Sequence, residues 1–288
     1  MNPEFKNRIV AAIITDRPQH NSAAKQAVTL DVNSSQLSRI INGDTENVLS
    51  DAKWYSIARR LDVQLREDAQ WVTAKTPVYQ FIYAQLNACQ QSSLSGLLCD
   101  MADLGKTYTA RAYAKENKYA VYIDCSQVKT KQKLIREISK ELGLGNTGKY
   151  SEVYADLVFY LRSIPNPLII LDEAGDLDYP AFLELKALWN ATEGCCGWYM
   201  MGADGLKYKI ERARYARKVG YAELFSRFGS KYQKVSPDGK EALDEFTRTQ
   251  VVMIAKANKA DVDVKEMIGK VNGSLRRVKI EIHKLKSA

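Results

Sequence analysis

The sequence is poor in the residues that build most metal sites and many hydrolase active sites. Its 288 residues include only two histidines, His20 and His283, and five cysteines without a CxxC pair or other metal-ligand spacing. The small supply of histidine argues against a histidine-rich metal site and against a Ser-His-Asp hydrolase. The odd number of cysteines indicates buried free thiols in a reducing compartment.

Long apolar runs are also missing from the chain. No stretch approaches the roughly 18–20 apolar residues that a membrane helix needs. Residues 1–19 lack the apolar core and the small-residue cleavage site of a signal peptide. Because the composition is close to that of ordinary globular proteins, we expect a cytoplasmic protein without a membrane partner. The length allows about two domains at roughly 150 residues each.

The net charge of +8 is concentrated in the last third of the sequence. Residues 200–288 contain 20 lysines and arginines against 11 acidic residues, whereas residues 76–199 contain 12 against 14 and residues 1–75 contain 10 against 9. A local basic field favours a polyanionic partner, most often nucleic acid. The alternative is a basic surface that only keeps the protein in solution.

Residues 1–65 are predicted to form a small all-α domain. Helical patterns cover residues 5–14, 22–30, 35–42 and 50–61, and a small core is predicted from Ala27, Val32, Leu37 and Ile40. The segment resembles the lambda-repressor-like helix-turn-helix family, whose second helix enters the major groove. That resemblance makes Ser35, Gln36 and Arg39 candidates for DNA contact. The alternative is a small helical bundle that contacts protein.

Apolar strands alternate with helices in the middle of the chain. Strands are predicted at 94–99, 120–125, 167–173, 198–202 and 231–235, with helices at 106–115, 131–142, 150–163 and 180–191. This alternation is typical of an α/β fold with a parallel sheet covered on both faces. We therefore predict a connector of helical character at 66–91 with a break at Pro77, an α/β core at 92–237 and a short helical subdomain at 238–288.

A candidate phosphate-binding loop follows the first predicted strand. Gly105, Lys106 and Thr107 match the end of the P-loop (Walker A) pattern GxxxxGK[ST], in which backbone N–H groups wrap phosphates, the lysine neutralises charge and the hydroxyl binds Mg²⁺. Asp100 stands at the first glycine position of that pattern and Asp103 at an interior position. Carboxylates beside a triphosphate would repel it, so this loop leaves the capacity for ATP hydrolysis open.

A second motif lies about 65 residues further on. Residues 168–171 are apolar and lead directly into Asp172 and Glu173, the Walker B form. In this form, Asp172 would help to hold Mg²⁺ and Glu173 would polarise the attacking water as a general base. The alternative is an ordinary buried strand with a solvated acidic end.

The order of these motifs resembles that of the AAA+ ATPases and, within them, the phage Mu B transposition protein family and related target-selection ATPases of transposons. The resemblance covers the whole length of the chain. It implies ATP and Mg²⁺ as cofactors, Glu173 and Arg227 as catalytic residues, the latter as an arginine finger, and Thr107 and Asp172 as metal ligands. The implied nucleotide-binding residues are Asp103, Leu104, Gly105, Lys106, Thr107, Tyr108, Asp172 and Arg276.

The same resemblance implies partners. An arginine finger acts on a neighbouring subunit, so a homo-oligomer is expected, either a ring or a helical filament. In the Mu B family the filament winds on double-stranded DNA, and a transposase is the implied protein partner.

Residues 207–218 form a basic segment in which two tyrosines are interleaved. The predicted DNA contacts in this segment are Lys207, Lys209, Arg212, Arg214, Arg217 and Lys218. Lysine and arginine would contact phosphates without reading the base sequence. The alternative is a solvated helix face.

Three functional hypotheses remain open from the sequence. The leading one is an ATP-dependent, largely sequence-nonspecific DNA-binding protein of a transposable element or Mu-like prophage, which oligomerises on target DNA and stimulates the transposase. The second is a nucleotide-binding DNA scaffold in which Asp100 and Asp103 have abolished hydrolysis. The third is a helix-turn-helix regulator that reads a DNA site, with the ATPase core as its switch.

Overall fold

The computed structural model of the chain describes residues 2–63 and 71–287. Four helices begin the chain: α1 (Pro3–Asp16), α2 (Ala23–Leu30), α3 (Ser34–Ile41) and α4 (Asp51–Arg60). They enclose a core of their own. The predicted core residues Ala27, Leu37 and Ile40 are buried there, and Val32 is partly buried. The assignment of these helices to a helix-turn-helix family stays a prediction.

The N-terminal helices pack on two helices of the central region, α7 (Lys131–Glu141) and α8 (Tyr150–Ser163). A guanidinium nitrogen of Arg60 lies 2.5 Å from a carboxylate oxygen of Glu141. The ammonium of Lys25 lies 3.5 Å from the ring centre of Tyr160. A side chain at Gly143 would meet the backbone of Lys25 at 2.8 Å, so glycine permits this close approach.

The central sheet has four parallel strands: β1 (Ser95–Cys99), β2 (Ala120–Asp124), β3 (Leu168–Asp172) and β4 (Gly197–Gly202). Their spatial order is β1-β4-β3-β2, so all the carboxyl ends lie at one edge of the sheet. Helices α5 (Pro77–Ser92) and α6 (Lys106–Glu116) cover one face. The other face is covered by α7 and α8 together with α9 (Tyr179–Ala191), α10 (Asp204–Tyr215) and α11 (Tyr221–Arg227). The predicted α/β fold is confirmed.

The predicted fifth strand at 231–235 is wrong as a strand. Only Gln233 pairs with the sheet, through a single parallel bridge to Leu98 at the outer edge of β1. The pairing stops because the N–H groups of Val235 and Ser236 donate to the carboxylate of Asp100 instead. A side chain therefore takes the donors that a longer ladder would have used.

The break predicted at Pro77 falls at the start of a helix, because residues 71–76 are not helical and Pro77 is the first residue of α5. Proline is tolerated there because the first turn of a helix does not use its N–H groups within the helix. Apolar residues of α5, including Val78, Ile82 and Leu86, are buried against the sheet. Residues 66–70 of the predicted connector lie outside the described residues, and the domain boundaries stay predictions.

The C-terminal part consists of α12 (Lys240–Ala257), α13 (Val264–Val271) and α14 (Leu275–Ser287). Their core also takes in Trp71 and Ala74, which precede α5. The buried amide of Asn258 accepts from the N–H of Val72 at 2.9 Å and donates to its carbonyl at 3.0 Å. The segment before α5 is therefore tied to the C-terminal helices.

Two further sequence expectations concern the whole chain. All five cysteines are free, and four of them are buried, as predicted. None of the helices in residues 2–63 and 71–287 combines the length and apolar character that crossing a bilayer requires.

Candidate nucleotide-binding site

The loop between β1 and α6, residues 100–105, lies at the carboxyl edge of the sheet. Gly105 ends it with φ of +89°, a conformation that favours glycine, and α6 begins at the next residue. No side chain among the described residues caps this helix. Its first-turn N–H groups are therefore suited to bind an anion, with the helix dipole adding to the attraction.

Lys106 lies inside this loop. Its side chain is buried, and its ammonium donates to the carbonyl oxygens of Asp100, at 2.8 Å, and of Met101. Burial lowers the pKa of Lys106, and the neighbouring carboxylates of Asp100 and Asp172 oppose that change. The arrangement places a positive charge beside the N-terminus of α6, where a phosphate would need it.

The fold brings Thr107 and Asp172 together from 65 residues apart. The hydroxyl of Thr107 donates to Oδ2 of Asp172 at 2.6 Å, and the hydroxyl of Tyr122 donates to the same oxygen at 2.9 Å. The second carboxylate oxygen accepts from the N–H of Glu173 at 3.0 Å. A buried carboxylate beside a threonine hydroxyl fits Mg²⁺, which uses one or two protein oxygens together with phosphate oxygens.

Glu173 follows the end of β3 with φ of +50°. A positive φ at a residue that is not glycine stores strain, and such strain is common at functional sites. Burial and the charge of Asp172 raise the pKa of Glu173, while the charge of Lys106 opposes the rise. A raised pKa makes the ionised carboxylate a better proton acceptor, which suits the predicted role as a general base.

The carboxylate of Asp100 is fully engaged in hydrogen bonds. Its buried carboxylate accepts from the N–H groups of Met101, Val235 and Ser236 at 2.7–2.9 Å and from the hydroxyl of Ser236 at 2.5 Å. Burial acts to raise the pKa of Asp100, but these hydrogen bonds outweigh it and leave the pKa below its ordinary value. Asp100 is therefore an anchor for residues 235–236.

Asp103 is tied to the C-terminal helices. Its carboxylate accepts from the hydroxyl of Ser274 at 2.8 Å and lies 3.2 Å from the guanidinium of Arg276. Of the other predicted nucleotide-binding residues, Leu104 is buried against α5 and α6. The hydroxyl of Tyr108 pairs with that of Thr73 at 2.6 Å. The structure thus gathers the predicted set around one loop.

Arg227 lies near the amino-terminal end of β1, whereas the β1–α6 loop lies at its carboxyl end. Its Nε donates to Asn190 at 2.6 Å, and its guanidinium lies 5.4 Å from a ring centre of Trp189. The indole of Trp189 donates to the hydroxyl of Ser95, the first residue of β1. The loop follows the last residue of that strand, about 13 Å away at ~3.3 Å per residue. Arg227 therefore lies away from the loop of its own chain.

The basic residues predicted to contact DNA lie on and just after α10, but they do not share one environment. The ammonium of Lys209 is partly buried and donates to the carbonyls of Gly175, at 2.7 Å, and Leu177, at 2.5 Å. Burial lowers its pKa. The charge of Lys209 is thus engaged by the loop that follows Glu173, and its contact with DNA stays a prediction that this geometry disfavours.

The other basic side chains of this segment are exposed. Three of them also lie over aromatic rings: Lys207 over Tyr232, Arg214 over Phe225 and Lys218 over Tyr179. Arg212 and Arg217 are exposed beside Tyr208 and Tyr215, the latter 93% exposed. The segment keeps an accessible basic and aromatic surface.

The residues of α3 that are candidates for DNA contact are engaged locally. The hydroxyl of Ser35 donates to the side chain of Asn33 at 2.7 Å. Gln36 completes a capping box with Asn33 and donates to the carbonyl of Val48. The guanidinium of Arg39 pairs with Asp44 at 2.8 Å. Gln36 in particular stabilises the N-terminus of α3, the helix from which a DNA contact is predicted.

Sequence reasoning missed three contributors to the site: Tyr122, Ser236 and Ser274. Each acts through a hydroxyl that donates to a carboxylate distant in the chain. Aspartates at two loop positions where the P-loop pattern favours glycine were the available signal. In the sequence these aspartates indicate only repulsive charges, whereas in the structure they accept from distant donors.

Comparison with known proteins agrees with this geometry. The family described as "AAA domain" matches residues 90–207, the stretch that holds the β1–α6 loop and the end of β3. The "Mu-like prophage FluMu DNA transposition protein B" of Haemophilus influenzae is 24% identical over 200 residues, which span 68% of this chain and 69% of that protein. Residues 90–207 therefore form an AAA domain, and the chain is similar to a Mu-like prophage transposition protein B. A nucleotide-binding role for its AAA domain follows, with ATP as the nucleotide.

Among solved structures, the chain aligns with that of the Aeropyrum pernix Orc1 protein in complex with DNA. The sequence identity is 15%, and the alignment covers 77% of this chain and 67% of the other, with a TM-score of 0.44.

Proposed function

We propose that the protein is an ATP-dependent DNA-binding protein of a transposable element or Mu-like prophage, which assembles on target DNA and stimulates a transposase. The observation that carries the ATP-dependent part is the cluster of Lys106, Thr107, Asp172 and Glu173 at the uncapped N-terminus of α6. The name of the Haemophilus relative, a DNA transposition protein, supports the link to transposition.

The residues of the cluster have separate tasks in this proposal. Lys106 and the first-turn N–H groups of α6 hold the phosphates and offset their charge. Thr107 and Asp172 would hold Mg²⁺, which would offset the charge that develops on the phosphates. Glu173, with its raised pKa, orients a water molecule and takes its proton.

Arg227 supplies the reason for assembly. Because it lies at the opposite edge of the sheet from its own β1–α6 loop, it can complete only the site of another copy. A contact between different surfaces of identical chains closes into a ring or extends into a helical filament. The site of each subunit is then incomplete until a second copy docks.

The DNA-binding surface in this proposal is the exposed part of residues 207–218 without Lys209. Exposed arginines and lysines bind phosphates of any sequence, so affinity should fall steeply with salt. The local bonds of Ser35, Gln36 and Arg39 disfavour the sequence-specific regulator. The transposase as protein partner rests on the relative's name alone.

The hydrolysis-defective scaffold is disfavoured by the two loop aspartates. The carboxylate of Asp100 accepts hydrogen bonds from residues 235–236, and the carboxylate of Asp103 pairs with Arg276. Neither carboxylate is free to repel a triphosphate at full strength. We therefore expect turnover.

The test is steady-state ATP hydrolysis with and without random-sequence duplex DNA, on the unaltered protein and on Glu173→Gln. We expect DNA to stimulate turnover. Glu173→Gln should bind ATP, hydrolyse it at least about 100-fold more slowly because the base is lost, and stay on DNA. Glu193→Gln, an equal change in the exposed turn after α9, is the matched control. Wild-type turnover by Glu173→Gln would contradict the assignment, and no turnover in any sample would favour the scaffold.

A mixing experiment tests the role of Arg227. Lys106→Ala and Arg227→Ala should each be inactive alone, the first because it binds no nucleotide and the second because it completes no neighbouring site. Mixed, they should regain part of the activity, since an intact loop in one copy can meet an intact arginine from the other. If the mixture stays inactive while both variants still assemble, Arg227 does not act between subunits.

A further inference from the structure

The start of α14 sits directly on the β1–α6 loop. The hydroxyl of Ser274 and the guanidinium of Arg276 approach different oxygens of the Asp103 carboxylate, at 2.8 and 3.2 Å. The N–H of Leu275 donates to the carbonyl of Asp103 at 3.0 Å. Three successive residues of the C-terminal part therefore contact one residue of the loop, 171 positions away for Ser274.

The backbone at Asp103 makes this choice of residue informative. Its φ of +60° is a conformation that glycine adopts freely and that strains other residues. An aspartate at this position must therefore contribute through its side chain. Both of its carboxylate oxygens are directed at the C-terminal part.

We propose that Asp103 is a positioning residue that holds Ser274 and Arg276 on the loop and competes with a bound nucleotide for Arg276. Phosphate binding would draw the guanidinium from Asp103 to the phosphates, so that the start of α14 responds to occupation of the loop. This inference rests on the proposed ATP site, and it adds how that site controls the C-terminal helices.

The exposure of the partners supports such an exchange. The side chain of Arg276 is 79% exposed, so its pairing with Asp103 is screened by water and easily given up. A polyphosphate carries more charge than one carboxylate and offers bidentate acceptors to a guanidinium. The bonds of Asp103 to Ser274 and Leu275 do not need the arginine, so the start of α14 can stay close while Arg276 turns.

The alternative is that Asp103 merely repels the nucleotide, which a double-mutant cycle can distinguish. Affinity for the magnesium complex of a non-hydrolysable ATP analogue is measured for the unaltered protein, Asp103→Asn, Arg276→Gln and the double variant. Because an exposed ion pair is weak, we expect Asp103→Asn to tighten binding about threefold. In the Arg276→Gln background the same change should have almost no effect, because the arginine that Asp103 competes for is gone.

Equal tightening in both backgrounds would mean simple repulsion and would overturn the competition. A weaker or unchanged affinity for Asp103→Asn alone would overturn it as well. Asp204→Asn is the matched control, because Asp204 also acts electrostatically on Lys106. Its effect on affinity should be the same with and without Arg276.

Hydrogen exchange without nucleotide tests the holding role separately. Asp103→Gly removes the carboxylate and relieves the backbone, so the amides of Leu275 and Arg277 should exchange at least about threefold faster. The amide of Val251 in α12 should not change, and Asp204→Asn should leave all three unchanged. Unaltered exchange at Leu275 and Arg277 would overturn the holding role. Failure of the unaltered protein to bind nucleotide would instead remove the ATP site and the competition with it.

Discussion

Two surfaces of this molecule are predicted to contact DNA, and their polar side chains differ in how many partners they already have within the protein. On α3, Ser35, Gln36 and Arg39 are bonded to groups within 12 residues of themselves. On and after α10, Arg212 and Arg217 project from the surface. Since a side chain must release its existing partners before it binds DNA, the second surface is better prepared for phosphates.

This difference shows that basic or polar residues on one helix can differ in their exposure and in their hydrogen-bond partners. Within α10 itself, Lys209 turns inward to the loop after Glu173, whereas Arg212 stays outside. In the sequence, Lys209 and Arg212 look alike, because both are basic residues of one predicted helix. The following predictions test this division, from the largest effect to the smallest.

Charge reversal at Arg212 and Arg217 together should have the largest effect on DNA. We expect affinity for random duplex to fall on the order of 100-fold at low salt, with the slope of log affinity against log salt reduced by about 2. Fluorescence anisotropy across a salt series measures both quantities. Arg248→Glu, an exposed change on α12, is the control for net charge. An equal loss for the control would remove residues 207–218 as the DNA surface.

Lys209→Met should lower stability rather than DNA affinity. It leaves the carbonyls of Gly175 and Leu177 without their charged donor, so we expect the free energy of unfolding to fall by about 2 kcal/mol. Denaturant unfolding measures this loss. Affinity for DNA should change less than about twofold, because the ammonium faces inward. A tenfold loss of DNA affinity with unchanged stability would place Lys209 back on the DNA surface.

Gln36→Ala should weaken the N-terminal helices by about 1 kcal/mol, because it removes the reciprocal bond of the capping box and the bond to Val48. Thermal unfolding followed by circular dichroism measures the change, with Ser38→Ala on the same helix as the control. DNA affinity should stay the same. If the stability is unaffected and a particular DNA site is lost, Gln36 reads bases.

Arg39→Ala should have the smallest effect. Its pairing with Asp44 is exposed on both sides, and such pairs contribute less than about 1 kcal/mol. We expect no measurable change in stability and no change in binding to random or selected duplexes. Strong preference of the unaltered protein for one duplex, abolished by this substitution, would favour the sequence-specific regulator.

Much of the fold could be predicted from the pattern of residues. Apolar strands such as residues 168–171, which end in Asp172 and Glu173, are recognisable because a buried parallel strand is apolar throughout. The pattern of residues 231–235 was misleading, since the carboxylate of Asp100 captured the donors that a strand would have used. Local strand propensity cannot reveal that Asp100, 135 residues away in the chain, accepts the hydrogen bond from Val235.

The candidate site divides in the same way. Gly105, Lys106 and Thr107 are identifiable because a tight turn, a cation and a hydroxyl at that spacing have few other uses. The roles of Asp100 and Asp103 were not identifiable, because their partners come from residues 235–236 and 274–276. Charge alone predicted repulsion, whereas hydrogen-bond donors brought by the fold turned both residues into anchors.

Residue pattern alone predicts the order of strands and helices, the position of the candidate phosphate-binding loop and the excess of positive charge after residue 200. These follow from local periodicity and composition, which any window of the chain contains. Only the tertiary structure decided which charges remain available: Lys209 is held inside, and Arg212 lies outside. The physical reason is that a charged group's partners are chosen by distance in space, which is settled only once the chain has packed.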